Sequence, residues 1–290
     1  MKKVISVLLA AVFALSLFAG CKEKKKEPVF PVTVKGVTVD AAPQKVVVLS
    51  PGIAVTAVRL GYAKQIAGIC EDHLNPTSLR NVPKVGDAVT PDIEAIVKLG
   101  ADMLITFMAP TDQDMVELDK AGVKVVVLTA PNSVETLDEY YVDIASCFEG
   151  VIDEEHTSRT YVKELKEWTA KLAEGKESRP SFAIITSANL MTAGGDTIES
   201  QLFSQILGKN IMADASGYTQ GIVDIIRKNP DVLIVTDALN MDLIKGNHGV
   251  SGLNAVKNEQ VYFVNLNNFE LMLPELIVEM CEVAAGCYQK

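Results

Sequence analysis

Seven short runs of apolar, largely β-branched residues recur along this chain, separated by stretches with helical periodicity. The runs are Val46 to Leu49, Gln65 to Ile69, Met103 to Thr106, Val125 to Leu128, Phe182 to Ile185, Val232 to Val235 and Val261 to Val264. A strand that is apolar on both faces must be covered on both faces, which is the signature of parallel sheets flanked by helices. The fold class is therefore α/β. Helix starts fall between the runs. Ser50 and Pro51 open a helix that stops at Gly61, Thr90 with Pro91 reads as a cap followed by a proline start, and Asp196 with Glu199 has capping-box spacing. With 48% hydrophobic residues in 290, the chain can bury one large core or two medium ones.

Ahead of these runs, Lys2 and Lys3 precede an uncharged apolar segment from Val4 to Gly20 that ends at Cys21. Its seventeen residues reach the lower limit for crossing a bilayer, so a retained membrane helix competes with a cleaved signal peptide. Leu17, Phe18, Ala19, Gly20 and Cys21 resemble the bacterial lipobox, with Phe18 where leucine is commoner. That resemblance implies signal peptide 1–20, lipid on Cys21 and an extracytoplasmic, membrane-anchored protein. Residues 21–34 then read as a solvated tether, because Lys22 to Glu27 has nothing to bury.

Internal similarity divides the remainder. At an offset of 129, the separation of Asp102 and Asp231, Ile93 meets Ile222, Ile96 meets Ile225, Val97 meets Ile226 and Leu104 meets Leu233. Helix segments feeding buried strands resemble one another by chance, so the shared Asp adds only modestly. Between the halves, Tyr161, Leu165, Trp168 and Leu172 share one face of a long charged stretch. The division expected is an N-terminal lobe 35–152, a linker helix 153–178 and a C-terminal lobe 179–290, with an ordinary surface helix as the alternative for the linker. Two lobes on a stiff connector leave a cleft, and small-molecule sites favour the carboxyl ends of parallel strands.

The charge balance excludes one class of partner. With 27 basic against 37 acidic side chains the net charge is -10, which repels nucleic acid. No G-x-S-x-G, Walker A, G-x-G-x-x-G or H-E-x-x-H motif is present, so the chain does not read as an enzyme. Cys70, Glu71, Asp72 and His73 are metal-binding types, but four adjacent residues cannot converge on one ion without a sharp turn; no metal site is assigned. Cys147, Cys281 and Cys287 read as buried small hydrophobes.

Residues just past the strand ends are apolar, soft and mostly uncharged. They are Pro51, Gly52 and Ile53; Asp72; Phe107 and Met108; Asn189 and Met191; Leu239; and Asn267 and Phe269, with Tyr218 a further aromatic face. Methionine is more often core than ligand surface, yet the set also suits a bulky, weakly charged guest. No Arg or Lys cluster accompanies it; Arg80 and Lys84 are the nearest cations in sequence.

Gly86, Pro91, Asp92, Ile93, Glu94, Ala95 and Ile96, followed by Asp102 to Ile105, resemble a signature of substrate-binding proteins that feed ABC importers of ferric siderophores, haem and cobalamin. Val46 to Pro51, Leu207 to Asp214, Asn229 to Ile234 and Ala255 to Val264 add matches in the same order. The resemblance implies two α/β lobes with mainly parallel sheets joined by one backbone helix, the class III periplasmic-binding-protein arrangement. It implies capture of a metal chelate, a ferric siderophore or a corrinoid, for an ABC permease; haem, or a lipid-anchored sensor, is the alternative. No resident cofactor is implied, and the chain is expected to act as a monomer. An acidic residue on each lobe would dock on the permease: Glu94 on the first, and Asp224 on the second, where Val223 stands at the matching position. Carried-over ligand positions are Pro51, Gly52, Asp72, Phe107, Met191, Tyr218 and Asn267, while Ala88 stands near where a tryptophan is expected.

Overall fold

A computed structural model describes residues 28–174 and 179–288. The signal segment, Cys21 and Lys22 to Glu27 lie outside the described residues. Among the described residues no helix is long and apolar enough to cross a membrane.

The chain forms two compact units. The first takes residues up to Pro131 together with Thr136–Tyr161. It opens with a hairpin of β1 (Val32–Val34) and β2 (Val37–Val39), then runs β3 (Val46–Val48), α1 (Pro51–Arg59), β4 (Ile66–Ile69), α2 (Ile93–Lys98), β5 (Met103–Thr106), α3 (Asp112–Lys120), β6 (Lys124–Val127) and α4 (Val134–Glu149). The main sheet is parallel throughout, in the order β4-β3-β5-β6. Strand order reverses between β3 and β5, so their carboxyl ends flank the point where open α/β sheets leave a crevice. The hairpin corrects the tether expected over 21–34. Val34 and Val39 are buried, and the alternation Val-Thr-Val repeated across Lys35 and Gly36 is a strand signal that the charged stretch before it obscured.

α5 (Thr157–Glu174) belongs to the first unit up to Tyr161 and to the second from Val162. The linker helix expected from residue 153 starts later, because Asp153 to His156 form a turn whose His156 ring accepts from the Ser158 N–H at 3.1 Å. Tyr161 and Leu165 are buried and Trp168 is half-buried.

The second unit adds Asn132–Glu135 and contains β7 (Phe182–Ile185), β8 (Thr192–Ala193), α6 (Ile198–Ile206), β9 (Tyr218–Thr219), α7 (Ile222–Lys228), β10 (Val232–Thr236), α8 (Met241–Gly246), α9 (His248–Ser251), α10 (Asn254–Lys257), β11 (Val261–Val264), α11 (Leu266–Glu270) and α12 (Glu275–Tyr288). Its sheet runs β11-β10-β7-β8-β9, parallel across the first three strands and antiparallel at β8 and β9. Ala183, Ile185, Leu233 and Val235 face one core with Ile225 and Ile244. On the opposite side Phe182, Phe203 and Phe269 form a ladder, with ring centroids 6.3 and 5.3 Å apart.

The internal repeat has a structural basis. In the first unit the Asp102 carboxylate accepts from the Gln44 N–H at 2.7 Å and the Lys45 N–H at 3.1 Å, at the start of β3. In the second, Asp231 accepts from the Ser181 N–H at 2.9 Å and its hydroxyl at 2.7 Å, at the start of β7. Each Asp precedes a central strand and clamps the amino end of its neighbour. Ile96 and Ile225 are both fully buried, while Val97 and Ile226 expose nearly equal fractions, 39% and 40%. Asp102→Ala and Asp231→Ala are each expected to cost about 1–2 kcal/mol in urea denaturation, because each removes two hydrogen bonds to a carboxylate at one strand start. A cost near zero at either site would remove the clamp.

The motif glycine is also explained. Gly86 has φ +81°, and a Cβ there would lie 2.4 Å from the Thr90 carbonyl oxygen, so only glycine fits the turn that leads into α2. The cap of α2 is Asp92, accepting from the Ala95 N–H at 2.9 Å, and not Thr90. Thr90 instead donates its N–H to Asp87 at 2.7 Å within the preceding loop.

Candidate functional site

Each unit presents its strand ends as a surface, and the sequence orders which side chains reach it. In the first unit Ser50 caps α1 by accepting from the Ile53 N–H, which places Pro51 half-buried at the end of β3. Phe107, just past β5, stacks on the buried ring of Tyr140 with centroids 5.9 Å apart, and Met108 beside it is exposed. Pro51, Phe107 and Met108 thus sit at the reversal point between β3 and β5. Gly52 and Ile53 do not line this surface. Both turn into the core as the first turn of α1 packs on the sheet, and Ile53 is fully buried.

Beyond β4 the acidic stretch organises itself. Asp72 accepts from the Leu74 N–H at 2.8 Å, and Asn75 donates to the carbonyls of Cys70 and Asp72 at 2.8 and 2.9 Å. Burial pushes the Cys70 thiol up to about 11, so it is protonated at neutral pH, while His73 points into solvent 3.5 Å from Asp72. Among the described residues no three metal-ligating side chains are grouped to hold an ion.

In the second unit Asn189 and Met191 follow β7, where the Gln220 side-chain amide donates to the Met191 sulfur at 2.8 Å. Tyr218 on the edge strand β9 is 55% exposed. Past β11, Asn265 caps α11 and leaves Asn267 exposed. Leu239 and Phe269 are corrections to the expected lining. Leu239 joins the core beneath β10, and Phe269 is fully buried against Phe203, because residue 269 falls on the face of α11 that packs on α6.

Two further carboxylates bear on these surfaces: Glu199, which the sequence marked only as a capping-box partner, and Glu279, which it did not single out. Glu199 does not form a capping box with Asp196. The cap of α6 is Thr197, accepting from the Ser200 N–H, and Asp196 accepts instead from the Ser216 hydroxyl and the Gly217 N–H, each at 2.6 Å. Glu199 is 1% exposed; burial, and then the nearby Glu270, raise its pKa. Its position in step with Leu202, Phe203 and Ile206 was the available signal, a carboxylate on an apolar helix face. Glu279 on α12 accepts from the Asn265 N–H and the Asn268 amide, both at 3.1 Å, and so ties down the first turn of α11, which carries Asn267.

A separate feature lies between α2 and α3: an open hollow of about 380 Å³ lined by Ile93, Glu94, Val97, Glu117 and Lys120. Glu94 is exposed at the first turn of α2. Its counterpart on α7 is Val223, 73% exposed, and the neighbouring Asp224 pairs with Arg227.

Residues 46–265 match the family model described as periplasmic binding protein. The chain belongs to that family. This binding protein is 26% identical over 312 residues to an uncharacterized ABC transporter substrate-binding lipoprotein, YvrC, of Bacillus subtilis (strain 168), covering 99% of this chain and 98% of that one. It is 25% identical over 275 residues to a cobalamin-binding protein of Halobacterium salinarum (strain ATCC 29341 / DSM 671 / R1), covering 88% and 73% of the two chains. In fold it resembles the periplasmic haem-binding protein HutB of Vibrio cholerae, with a TM-score of 0.60 at 18% identity over 84% of this chain and 99% of that one.

Glu279 makes this binding protein's stability depend on pH. Burial, foremost, and the charges of Asp237 and Glu282 raise its pKa from 4.5 to about 7 against the two hydrogen bonds that lower it. The folded state therefore holds the proton more tightly than the unfolded chain. The resulting stabilisation is full below about pH 4.5 and is lost as pH rises through about 7. At 1.36 kcal/mol per unit the shift corresponds to roughly 3 kcal/mol, and solvent screening lowers the expected figure to about 1–2 kcal/mol. Glu279→Gln, which keeps an acceptor for Asn265, is expected to flatten this slope between pH 5 and 8 in thermal unfolding. An unchanged slope would place the titrating group elsewhere.

Proposed function

We propose that this binding protein is the lipid-anchored receptor of an ABC importer, held to the membrane through Cys21, and that it captures a neutral or weakly charged metal chelate. A corrinoid or a hydroxamate ferric siderophore is the ligand class. One observation carries the reading: the strand-end surfaces are formed by Pro51, Phe107, Met108, Asn189, Met191, Tyr218 and Asn267, with no Lys or Arg in the loops past β3, β5, β6, β7, β10 or β11 and with Arg80 and Lys84 confined to the later part of the long loop past β4. Aromatic and thioether groups suit a large flat or polarizable guest. Anionic catecholates and haem propionates favour guanidinium or ammonium partners, which these loops lack apart from Arg80 and Lys84. The cobalamin-binding protein of Halobacterium salinarum supports the corrinoid branch.

Thermal-shift titration against dicyanocobinamide, cyanocobalamin, a ferric hydroxamate, a ferric catecholate and hemin tests it. A ligand at one hundred times its dissociation constant stabilises by about 2.7 kcal/mol, which is readily measured. Stabilisation by a neutral chelate is expected; stabilisation by the catecholate or hemin alone would overturn the reading.

Glu94, exposed beside an apolar hollow, supports docking of the first unit on a cationic permease surface. Glu94→Arg is expected to abolish uptake of the labelled chelate in cells while the purified protein binds it unchanged. The exposed Val223, where the second unit lacks the matching acid, favours a second reading, a lipid-anchored sensor without transport. A sensor would show no uptake defect in the Glu94→Arg strain.

A further inference from the structure

The strand-end surface of the second unit holds one polar side chain in place before any ligand arrives. It starts from Met191, whose backbone is fixed on both sides. The Met191 carbonyl accepts from the Thr186 N–H at 2.8 Å and from the Thr186 hydroxyl at 3.2 Å, and its N–H donates to the Ser187 hydroxyl at 3.4 Å. Leu190, just before it, has φ +57°, a left-handed conformation that a leucine keeps only where its surroundings impose it. Antiparallel pairing of Thr192 with Thr219, between β8 and β9, then sets Gln220 across from Met191. The Gln220 side-chain amide donates to the Met191 sulfur at 2.8 Å. A thioether only accepts, so the amide nitrogen must be the end that faces it, which leaves the carbonyl oxygen directed away. The backbone around Gln220 is held as well. The Thr192 hydroxyl donates to the Thr219 carbonyl at 3.2 Å, and a Cβ on Gly221 would lie 2.3 Å from that same hydroxyl.

Gln220 is exposed, and its second amide N–H and its carbonyl oxygen make no hydrogen bond among the described residues. We propose that Gln220, oriented by the Met191 sulfur, is a specificity-determining residue of the second unit and reads a peripheral carboxamide on the captured chelate. The inference rests on the chelate-capture reading and narrows it to the corrinoid class, whose rim carries primary carboxamides. An amide presents a donor and an acceptor side by side, and another amide is the group that answers both at once. An ester or a carboxylate has only acceptors, so either one leaves the Gln220 carbonyl without a donor. Orientation adds to this selectivity. A freely rotating glutamine loses up to about 2 kcal/mol of side-chain entropy when a ligand fixes it, and the bond to sulfur removes part of that cost beforehand. Met191 is thus a positioning residue, acting on the ligand through Gln220.

The test measures dissociation constants for dicyanocobinamide, whose rim carries carboxamides, and for heptamethyl dicyanocobyrinate, the same corrin ring with methyl esters in their place. The proteins are wild type, Gln220→Leu, Met191→Leu and the double variant, each checked for unchanged thermal unfolding without ligand; Gln220 is exposed, so its replacement leaves the core untouched. The wild type is expected to prefer dicyanocobinamide. Gln220→Leu is expected to weaken dicyanocobinamide about tenfold, the equivalent of 1.4 kcal/mol, and to leave the ester nearly unchanged. Met191→Leu, which keeps the apolar bulk and removes the sulfur acceptor, is expected to shift the preference the same way by a smaller factor, and to add nothing in the double variant. A packing role for Met191 alone would weaken both corrinoids alike. Dicyanocobinamide affinity unchanged in Gln220→Leu, or both corrinoids weakened equally, overturns this inference alone. Binding of a neutral ferric hydroxamate but of neither corrinoid by the wild type also overturns it, and leaves the capture reading standing. Binding of no neutral chelate overturns the capture reading, and this inference with it.

Discussion

Phe269→Ala is expected to lower the unfolding free energy of the second unit by about 3–5 kcal/mol, the range for removing a fully buried phenylalanine. The side chain has no exposed surface and stacks on Phe203 at 5.3 Å, which in turn meets Phe182 from β7. Removing the ring leaves a cavity where α11, α6 and the sheet converge, and close-packed aromatic neighbours refill it poorly. The check is a urea midpoint together with a ligand titration at a temperature where the variant is still folded. A large loss of stability with affinity retained is the expected pattern. The reverse pattern, stable protein with affinity lost, would return Phe269 to the ligand surface where sequence reasoning placed it.

Gly195→Ala is expected to act on stability and on the candidate site together. A Cβ at this position would lie 2.2 Å from the Ala213 carbonyl oxygen and 2.9 Å from the Ala213 Cα, both backbone atoms. That backbone is held in place. Gly194 donates to the Gly217 carbonyl at 2.8 Å, Gly195 to the Ala215 carbonyl at 2.9 Å, and Asp196 accepts from Ser216 and Gly217. The added methyl must displace residues 213–217, at a cost of about 1–3 kcal/mol, and Tyr218 follows directly in the chain. A tenfold or greater loss of chelate affinity is expected alongside the lower midpoint. Gly246→Ala in α8, where a Cβ meets nothing within 4 Å, is the comparison and is expected to be neutral or mildly stabilising. Equal behaviour of the two variants would refute the close approach at Gly195.

The difference between these two sites shows where the sequence was readable. Strands announced themselves, because a run such as Met103 to Thr106 or Phe182 to Ile185 has apolar residues on both faces and short length; both match the structure residue for residue. Others slipped by one position, as at β3 and β6, where pairing with a neighbour decides the end of a strand. The tether boundary failed because a three-residue strand exists only through its partner.

Site residues were legible by type and not by direction. Position past a strand end named Phe107, Met108, Asn189 and Asn267, which are accessible to differing degrees, and equally Ile53, Leu239 and Phe269, which are buried. One step along a helix rotates a side chain by about 100°, so whether residue 267 or 269 faces solvent depends on which side of α11 meets α6. The role of the Glu279 carboxyl was invisible for a related reason: it is separated by many residues from the groups it bonds, and no local pattern links them.

By itself the amino-acid order determined the strand and helix alternation, the repeated helix-Asp-strand unit and the acidic charge, since these follow from local periodicity and composition. Only the tertiary structure decided which strand-end side chains stay exposed, that the Glu279 carboxyl holds Asn265, and that Gly195 must lack a Cβ. Those outcomes depend on contacts between residues distant in the chain, which packing creates and sequence spacing does not encode.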